Sequence, residues 1–176
     1  MITLKRLTTT LGEDFSRAMK LYEGSFPYDE KREKRSQEEI MSHPDYRFSL
    51  ILEDGDFVGE VLYWERGDYI YIEHFCILPE CRNRKLGAKT LELLKQTGKR
   101  VILEIDPPTT DIAIRRKGFY ERNGFLKNPH YHKIPPYHAD CDGVELVVMT
   151  YPDTITKKEY DDFFDYIKNT VMFNCY

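Results

Sequence analysis

Residues 69–94 read YIYIEHFCILPECRNRKLGAKTLELL, and this stretch decides the fold prediction. Its first ten residues are rich in β-branched and aromatic side chains, which is typical of a strand. Apolar residues then recur at helical spacing over residues 82–97, and Gly98 follows as a common helix terminator. The stretch therefore predicts a strand that passes through a short loop into a helix.

The loop within this stretch is strongly basic. It carries Arg82, Arg84 and Lys85 within four residues. Cations at a helix N-terminus oppose the helix dipole, so such a cluster makes sense where an anion normally occupies the site. Free backbone amides at a helix start, together with nearby cations, can hold a phosphate group. Charge placement alone leaves two interpretations open, a phosphate site and a solvated basic patch.

The chain before this stretch is predicted to contribute strands and two helices. The predicted elements are a strand over residues 1–7, a helix over 11–26, a short helix over 36–43, and strands over 46–52 and 56–64. Glu53-Asp54-Gly55 is a turn signal between the last two strands, so with the strand over 69–78 they predict three consecutive antiparallel strands. The mixed-charge run DEKREKR at residues 29–35 is interpreted as a solvated loop or helix face.

The chain after this stretch is predicted to complete one domain. The predicted elements are a strand over residues 101–105, a helix over 111–123, a long loop over 128–143, a strand over 144–151 and a final helix over 156–172. Strands and helices mix without strict alternation, so the fold class is mixed α/β, or α+β, in three layers. Since no repeat or linker is evident, residues 1–176 are expected to form a single domain.

Charge and composition narrow the class of protein. Lys and Arg number 26 against 30 Asp and Glu, a net charge of -4, which argues against a general nucleic-acid binder. No apolar run approaches the ~20 residues of a membrane span, and the first residues lack the apolar core of a signal peptide. The four cysteines form no C-x-x-C pair, so we expect free thiols in a cytoplasmic protein without a membrane partner.

Two motifs resemble those of a known family. Residues 79–88, PECRNRKLGA, resemble the acetyl-CoA signature of the GNAT superfamily of N-acetyltransferases, Gln/Arg-x-x-Gly-x-Gly/Ala between a strand and a helix. Arg82 matches its first position and Gly87 its last, whereas Lys85 stands where the family has a glycine. Residues 120–125, YERNGF, resemble the family's Tyr-Glu-x-x-Gly-Phe motif, and Ala113 replaces an Asn that many members have.

The resemblance implies a fold, an activity and a coenzyme site. The implied fold has a central, mostly antiparallel sheet that is splayed between its fourth and fifth strands and flanked by helices. The implied activity is that of an acyltransferase that moves an acetyl group from acetyl-CoA to a primary amine by direct attack. Within the family, the chain resembles a group of small, mostly bacterial members. The coenzyme-binding residues implied by the resemblance are Phe75, Cys76, Ile77, Arg82, Asn83, Arg84, Lys85, Leu86, Gly87, Ala88 and Arg116.

Two residues are candidates for the proton transfers. The resemblance implies Tyr120 as the acid, and Arg116 and Lys117 one turn earlier are expected to favour its ionised form. Glu73 is the candidate base because a bound amine must lose a proton before it attacks. Strict alternation would place Glu73 on one face with Tyr71 and Phe75, and would direct the reserve candidate His74 away. The alternative for Glu73 is that it pairs with a basic neighbour or faces water.

The acceptor site is the least determined part of the sequence. Tyr28, Tyr71, Tyr131 and His132 are candidates for binding a small-molecule or peptide amine, and the acidic net charge mildly favours cationic acceptors. No metal is expected, because the histidine spacings are not diagnostic of a metal site. The chain is expected to act as a monomer or homodimer. Two alternatives stay open: a non-catalytic acyl-CoA-binding or regulatory module, and a binding module unrelated to the coenzyme.

Overall fold

The computed structural model describes residues 1–175, in which a mixed sheet is flanked by helices. The strands are β1 (Ile2–Leu7), β2 (Tyr46–Glu53), β3 (Asp56–Arg66), β4 (Tyr69–Ile77), β5 (Arg100–Ile105), β6 (Leu126–Lys127), β7 (His132–Lys133) and β8 (Glu145–Tyr151). The α-helices are α1 (Glu13–Ser25), α2 (Lys34–Ile40), α3 (Leu86–Lys95), α4 (Asp111–Arg122) and α5 (Lys157–Tyr166). None of these helices is long and apolar enough to cross a membrane.

The sheet opens between its fourth and fifth strands. The strand order is β1-β2-β3-β4-β5-β8-β6, with β7 paired to β8, and all neighbours are antiparallel except β4 and β5. The parallel pairing of β4 with β5 runs only from Tyr69 opposite Arg100 to Ile72 opposite Leu103. Both strands continue beyond that point without pairing to each other. The predicted splayed sheet is therefore confirmed.

Helices cover both faces of the sheet. One buried cluster joins α1 and α5 to the sheet through residues such as Tyr22, Trp64 and Phe163. The other cluster joins α3 and α4 to the opposite face through residues such as Leu91 and Tyr120. These two apolar layers confirm the predicted three-layer α/β architecture.

A β-bulge in β4 changes which side chains share a face. Leu62 pairs with His74 and Tyr63 pairs with Ile72, so Glu73 is the extra residue of the bulged strand. Tyr71, Glu73, His74 and Cys76 consequently pack on the α1 side. Phe75 lies on the other side, near the start of α3. The prediction that Glu73 shares a face with Phe75 while His74 points away is wrong, because alternation is interrupted between them.

Several element boundaries differ from the sequence prediction. Helix α3 begins at Leu86, not at residue 82, because Asn83 and Lys85 take left-handed backbone conformations with φ of 63° and 61°. The final helix is α only to Tyr166 and continues as a π-helix over Ile167–Val171. The loop predicted over residues 128–143 contains the short strand β7.

Candidate active site

A cavity of about 1020 Å³ occupies the gap where β4 and β5 separate. Its wall is formed by the second half of β4, the start of α3, the end of β5, one face of α4 and parts of residues 134–146. Both predicted catalytic residues, Glu73 and Tyr120, line the cavity. All predicted coenzyme residues except Arg84 line it as well, namely Phe75, Cys76, Ile77, Arg82, Asn83, Lys85, Leu86, Gly87, Ala88 and Arg116. The two sequence motifs therefore meet at one cavity.

One end of the cavity is basic. Arg82, Lys85, Arg115 and Arg122 line it, and none of them lies within ion-pair distance of an acidic side chain in residues 1–175. The sequence analysis placed Arg115 with the basic residues near the coenzyme but missed Arg122, which lies seven positions later on the same face of α4. This concentration of uncompensated positive charge favours an anionic ligand.

Arg84 does not contribute to that end. Its guanidinium lies 2.5 Å from the carboxylate of Glu53 at the end of β2, and Lys89 lies 3.7 Å from the same carboxylate. The cavity wall does not include Arg84. The prediction that Arg84 binds the coenzyme is therefore not supported by its position, since an acidic partner on the neighbouring hairpin holds it.

Two backbone features let the basic end approach a ligand closely. A Cβ atom at Gly87 would lie 3.2 Å from the Phe119 ring and 3.6 Å from the Phe75 ring, so glycine allows α3 to start close against both. Lys85 has φ 61° and ψ 14°, a left-handed conformation that glycine adopts most readily. Lysine at this motif position thus keeps a glycine-like backbone, with its side chain exposed.

Tyr120 is buried in the wall of the cavity with 8% of its surface exposed. Burial raises the pKa of its phenol to about 12, and the nearby Arg116 offsets this only in part. Lys117 instead contacts Glu121 on the same helix. The expectation that the two cations favour the ionised phenol is wrong in net direction, because desolvation outweighs Arg116. Tyr120 is therefore a protonated hydroxyl at neutral pH.

Glu73 forms a buried ion pair. Its side chain and that of Arg32 are both fully inaccessible, and their nearest charged atoms lie 3.0 Å apart. Trp64 Nε1 donates to Oε2 at 2.6 Å, and the Tyr137 hydroxyl donates to Oε1 at 3.1 Å. Burial alone would raise the pKa of Glu73, but Arg32 and these donors outweigh it and lower the pKa below its usual value. Glu73 is thus a stable, fully bonded carboxylate.

Arg32 ties this ion pair to the C-terminal segment. Its Nη1 lies 2.9 Å from the Cys175 Sγ, and its Nη2 donates to the Val171 carbonyl. The sequence indicated a solvated run at residues 29–35, and for Arg32 that prediction is wrong. Charge pattern alone does not reveal a buried member of such a run, since its acidic partner lies 41 residues away.

His74 presents an unused proton acceptor. It is 4% exposed and lines the cavity, and its Nε2 lies 2.8 Å from the Glu30 carbonyl oxygen. A carbonyl only accepts, so Nε2 carries the proton and Nδ1 has a free lone pair. No residue described in the structure hydrogen-bonds Nδ1. Burial lowers the pKa of His74, which keeps the ring neutral and this lone pair available.

Glu104 and His132 form a second buried pair. The Tyr71 hydroxyl donates to Glu104 at 2.7 Å, and His132 Nε2 contacts the other carboxylate oxygen. Tyr160 donates its single hydroxyl proton to the Tyr131 carbonyl at 2.7 Å, so it accepts from His132 Nδ1 at 3.0 Å. His132 therefore bridges Tyr160 and Glu104, and both carboxylate oxygens of Glu104 have hydrogen-bond partners.

The predicted acceptor residues do not line the cavity. Tyr71 and His132 lie behind Glu104, which does line it. Tyr28 stacks on His138 with ring centroids 3.7 Å apart, and Tyr131 is exposed. Within residues 1–175, no group of three His, Cys, Asp or Glu side chains is arranged to hold a metal. The cavity wall instead includes Phe26, Glu30, Glu104, Asp106 and Tyr137, which we propose as the end that receives the acceptor.

Comparison with known proteins identifies relatives of the chain. Residues 11–125 match the model of the acetyltransferase (GNAT) family. A solved GNAT-family protein from Bacteroides thetaiotaomicron is 27% identical, superposes with a TM-score of 0.90, and is matched over 97% of this chain and 98% of its own. No curated protein matches the sequence.

More distant solved structures share the fold. The ribosomal-protein-S18-alanine N-acetyltransferase from Escherichia coli is 17% identical with a TM-score of 0.58, covering 90% of this chain and 97% of its own. A chimera of the spermidine N-acetyltransferase from Vibrio cholerae and a second protein is 13% identical with a TM-score of 0.59. The match covers 92% of this chain and 98% of the chimera.

Proposed function

Because the chain belongs to the acetyltransferase (GNAT) family, we propose that it transfers an acetyl group from acetyl-CoA to the primary amine of a small molecule or peptide, by direct attack. One observation carries the proposal. A single cavity joins the basic end at α3, the side chains of Tyr120 and His74, and the unpaired edge of β4. A thioester carbonyl, a leaving thiol and an attacking amine need these groups in one space.

The residues at the basic end fit the phosphates of a coenzyme. The start of α3 supplies backbone amides, and Arg82, Lys85, Arg115 and Arg122 supply uncompensated positive charge. Glycine at position 87 lets the start of α3 pack closely against the Phe75 and Phe119 rings of the cavity wall. Acetyl-CoA would supply the activated acetyl group as co-substrate. Arg116, which lines the same cavity and pairs with Asp106, stays a candidate coenzyme contact.

We assign deprotonation of the acceptor amine to His74. Its free Nδ1 can accept a proton without breaking any existing hydrogen bond. Glu73 as the base stays a prediction, but its contacts with Arg32, Trp64 and Tyr137 would have to weaken first. We therefore give Glu73 a positioning role, since it holds Tyr137 at the cavity wall.

The remaining roles belong to β4 and Tyr120. Negative charge that develops on the carbonyl oxygen needs hydrogen-bond donors, and we propose backbone amides among Phe75, Cys76 and Ile77, beyond the last β4–β5 pair. The protonated Tyr120 hydroxyl, which lines the cavity, is the proposed donor to the departing thiolate.

The free cysteines bear on the cellular compartment in which the protein acts. Free thiols at Cys76, Cys81, Cys141 and Cys175 support a reducing compartment, for which we propose the cytoplasm. We propose that residues 1–176 act as one acetyltransferase domain, as a monomer or homodimer. The named structural relatives from bacteria support a bacterial origin.

The test is a titration with acetyl-CoA followed by measurement of thiol release over a panel of amines. We expect acetyl-CoA to raise the melting temperature and at least one amine to give steady thiol release. Binding without turnover on a broad panel would favour the non-catalytic module, in which Lys85 and Ala113 replace residues typical of the family. Absence of binding at millimolar acetyl-CoA would reject both.

A further inference from the structure

The carboxylates around the acceptor end of the cavity differ in how they are compensated. Glu73 is neutralised by Arg32, and Glu104 is hydrogen-bonded by Tyr71 and His132. Two carboxylates remain at that end, Glu30 and Asp106. They have a single guanidinium between them, because Arg116 pairs with Asp106 and no basic side chain described in the structure pairs with Glu30.

Glu30 and Asp106 act on each other across the cavity. Glu30 lies in the 3-10 turn Tyr28–Glu30, after α1, whereas Asp106 follows the last residue of β5. Burial raises the pKa of Glu30, and repulsion from Asp106 and Asp29 raises it further, while Arg116 opposes them. Two half-buried carboxylates with one shared cation leave one negative charge uncompensated. A second cation placed between them would relieve this repulsion.

The unused base lies beside this pair. His74 donates from Nε2 to the Glu30 backbone carbonyl, which holds the turn carrying Glu30 against β4. The ring of His74 lines the same cavity, and its buried Nδ1 has no hydrogen-bond partner among the described residues. A reacting amine at His74 therefore lies within a few atoms of any group bound by Glu30.

The surrounding rim is also acidic. Tyr28 donates to Asp140 at 3.4 Å and stacks on His138, which joins the turn to residues 138–142. Burial raises the pKa of Cys141, and Asp140, Asp29 and Asp142 raise it further, so these three carboxylates lie near its thiol. Positive charge is thus concentrated at the coenzyme end of the cavity and negative charge at the acceptor end. Such a field draws a small cation to the acceptor end.

We propose that the acceptor is a small aliphatic amine with a second cationic group, and that Glu30 and Asp106 bind that second group while the reacting amine faces His74. This rests on the proposed function, because it names the substrate class of the same site. Glu30 and Asp106 thus determine the specificity for an acceptor with a second cationic group, and they take no part in proton transfer.

The test compares 1,4-diaminobutane with 4-amino-1-butanol, which has the same length but one charge fewer. We expect kcat/KM for thiol release to be at least about tenfold higher for the diamine. Glu30→Gln should remove most of this preference by raising KM for the diamine, with little effect on the amino alcohol. Asp56→Asn is the matched control, since it removes the same charge from the exposed β2–β3 turn and should leave the preference intact.

Calorimetry on the coenzyme A complex separates the two proposals. Tighter binding of the diamine than of the amino alcohol, lost in Glu30→Gln, supports the inference even if no thiol is released, in which case the proposed function fails alone. Thiol release at equal kcat/KM with both amines overturns the inference and leaves the proposed function standing. Failure of both amines to bind the complex also overturns the inference.

Discussion

His74 and Glu73 are neighbours on β4 whose environments differ sharply. Glu73 accepts hydrogen bonds from three side chains, whereas His74 keeps one ring nitrogen without a partner in the described chain. Alternation along a strand predicted the reverse arrangement, with Glu73 as the accessible group. The bulge could not be found from sequence, because it depends on how β3 and β4 pair over several residues.

Replacing His74 by glutamine tests its role as base. Glutamine can keep an N–H for the Glu30 carbonyl but has no basic nitrogen to take up a proton. We expect kcat to fall by about a hundredfold or more. In the wild type, kcat should rise with pH through a midpoint below 6.5, because burial lowers the pKa of His74 and only the neutral ring accepts a proton. A pH–rate profile of both proteins checks this.

Glu73→Gln is the control for that experiment. It should lower stability while leaving the acidic limb of the kcat profile in place. An acidic limb retained in His74→Gln and lost in Glu73→Gln would assign the base to Glu73 instead.

Tyr120→Phe tests the proposed donor to the thiolate. We expect kcat to fall at least about tenfold, since the leaving thiolate loses its hydrogen bond. Because burial raises the pKa of Tyr120 to about 12, the phenol should cause no loss of wild-type kcat up to about pH 10. Full turnover of the variant at every pH would remove Tyr120 from the mechanism.

Lys85→Gly tests how the loop tolerates its departure from the family motif. Glycine relieves a left-handed conformation, so the free energy of unfolding should stay unchanged or rise by up to about 1 kcal/mol. Loss of one cation from the phosphate end should weaken acetyl-CoA binding severalfold. Urea unfolding and calorimetry measure the two effects. Tighter binding of acetyl-CoA by the variant would exclude a favourable contact from Lys85.

At the scale of elements, β3 carries a buried carboxyl that the proposed chemistry does not use. Glu60 is fully buried, its Oε2 has no partner within the described residues, and Cys76 Sγ lies 3.5 Å from its Oε1. Burial raises the pKa of Glu60 to about 8. The adjacent Gly59 is also constrained, because a Cβ there would lie 2.5 Å from the Cys76 carbonyl oxygen. The β3–β4 contact beneath the cavity is therefore closely packed.

Glu60 should make stability depend on pH. The unfolded chain ionises near the ordinary Glu value, whereas the folded protein keeps the proton up to about pH 8. The free energy of unfolding should therefore fall as the pH rises from about 5 to 8, and the part due to Glu60 is on the order of 3–5 kcal/mol. Urea unfolding of Glu60→Gln should show a flatter dependence over this range. An unchanged slope in the variant would show that Glu60 ionises normally in the fold.

At the scale of the whole molecule, Arg32 joins three distant parts of the chain. It connects the segment after α1 with Glu73 on β4 and with Val171 and Cys175 near the C-terminus. The sequence predicted the element order from local periodicity, and the resemblance to the GNAT family implied the splayed sheet and the residues at the basic end of the cavity. The sequence did not predict this junction, because only the fold brings together charges that are 41 residues apart.

A double-mutant cycle tests this junction. Arg32→Met leaves the buried Glu73 carboxylate without its cation, and we expect a loss of about 3–5 kcal/mol in the free energy of unfolding. Adding Glu73→Gln should recover part of that loss, because the uncompensated charge is removed. Losses that simply add in the double variant would show that the pair is not coupled.

We propose that the cavity between β4 and β5 catalyses direct acetyl transfer. The most direct test mixes the enzyme with acetyl-CoA and 1,4-diaminobutane and follows free thiol, acetylated amine and the intact mass of the protein together. We expect one acetylated amine per thiol released over many turnovers, with no acetyl group retained on the protein. Bound acetyl-CoA with no thiol release from any amine, or an acetylated protein that forms and decays at the turnover rate, would contradict it.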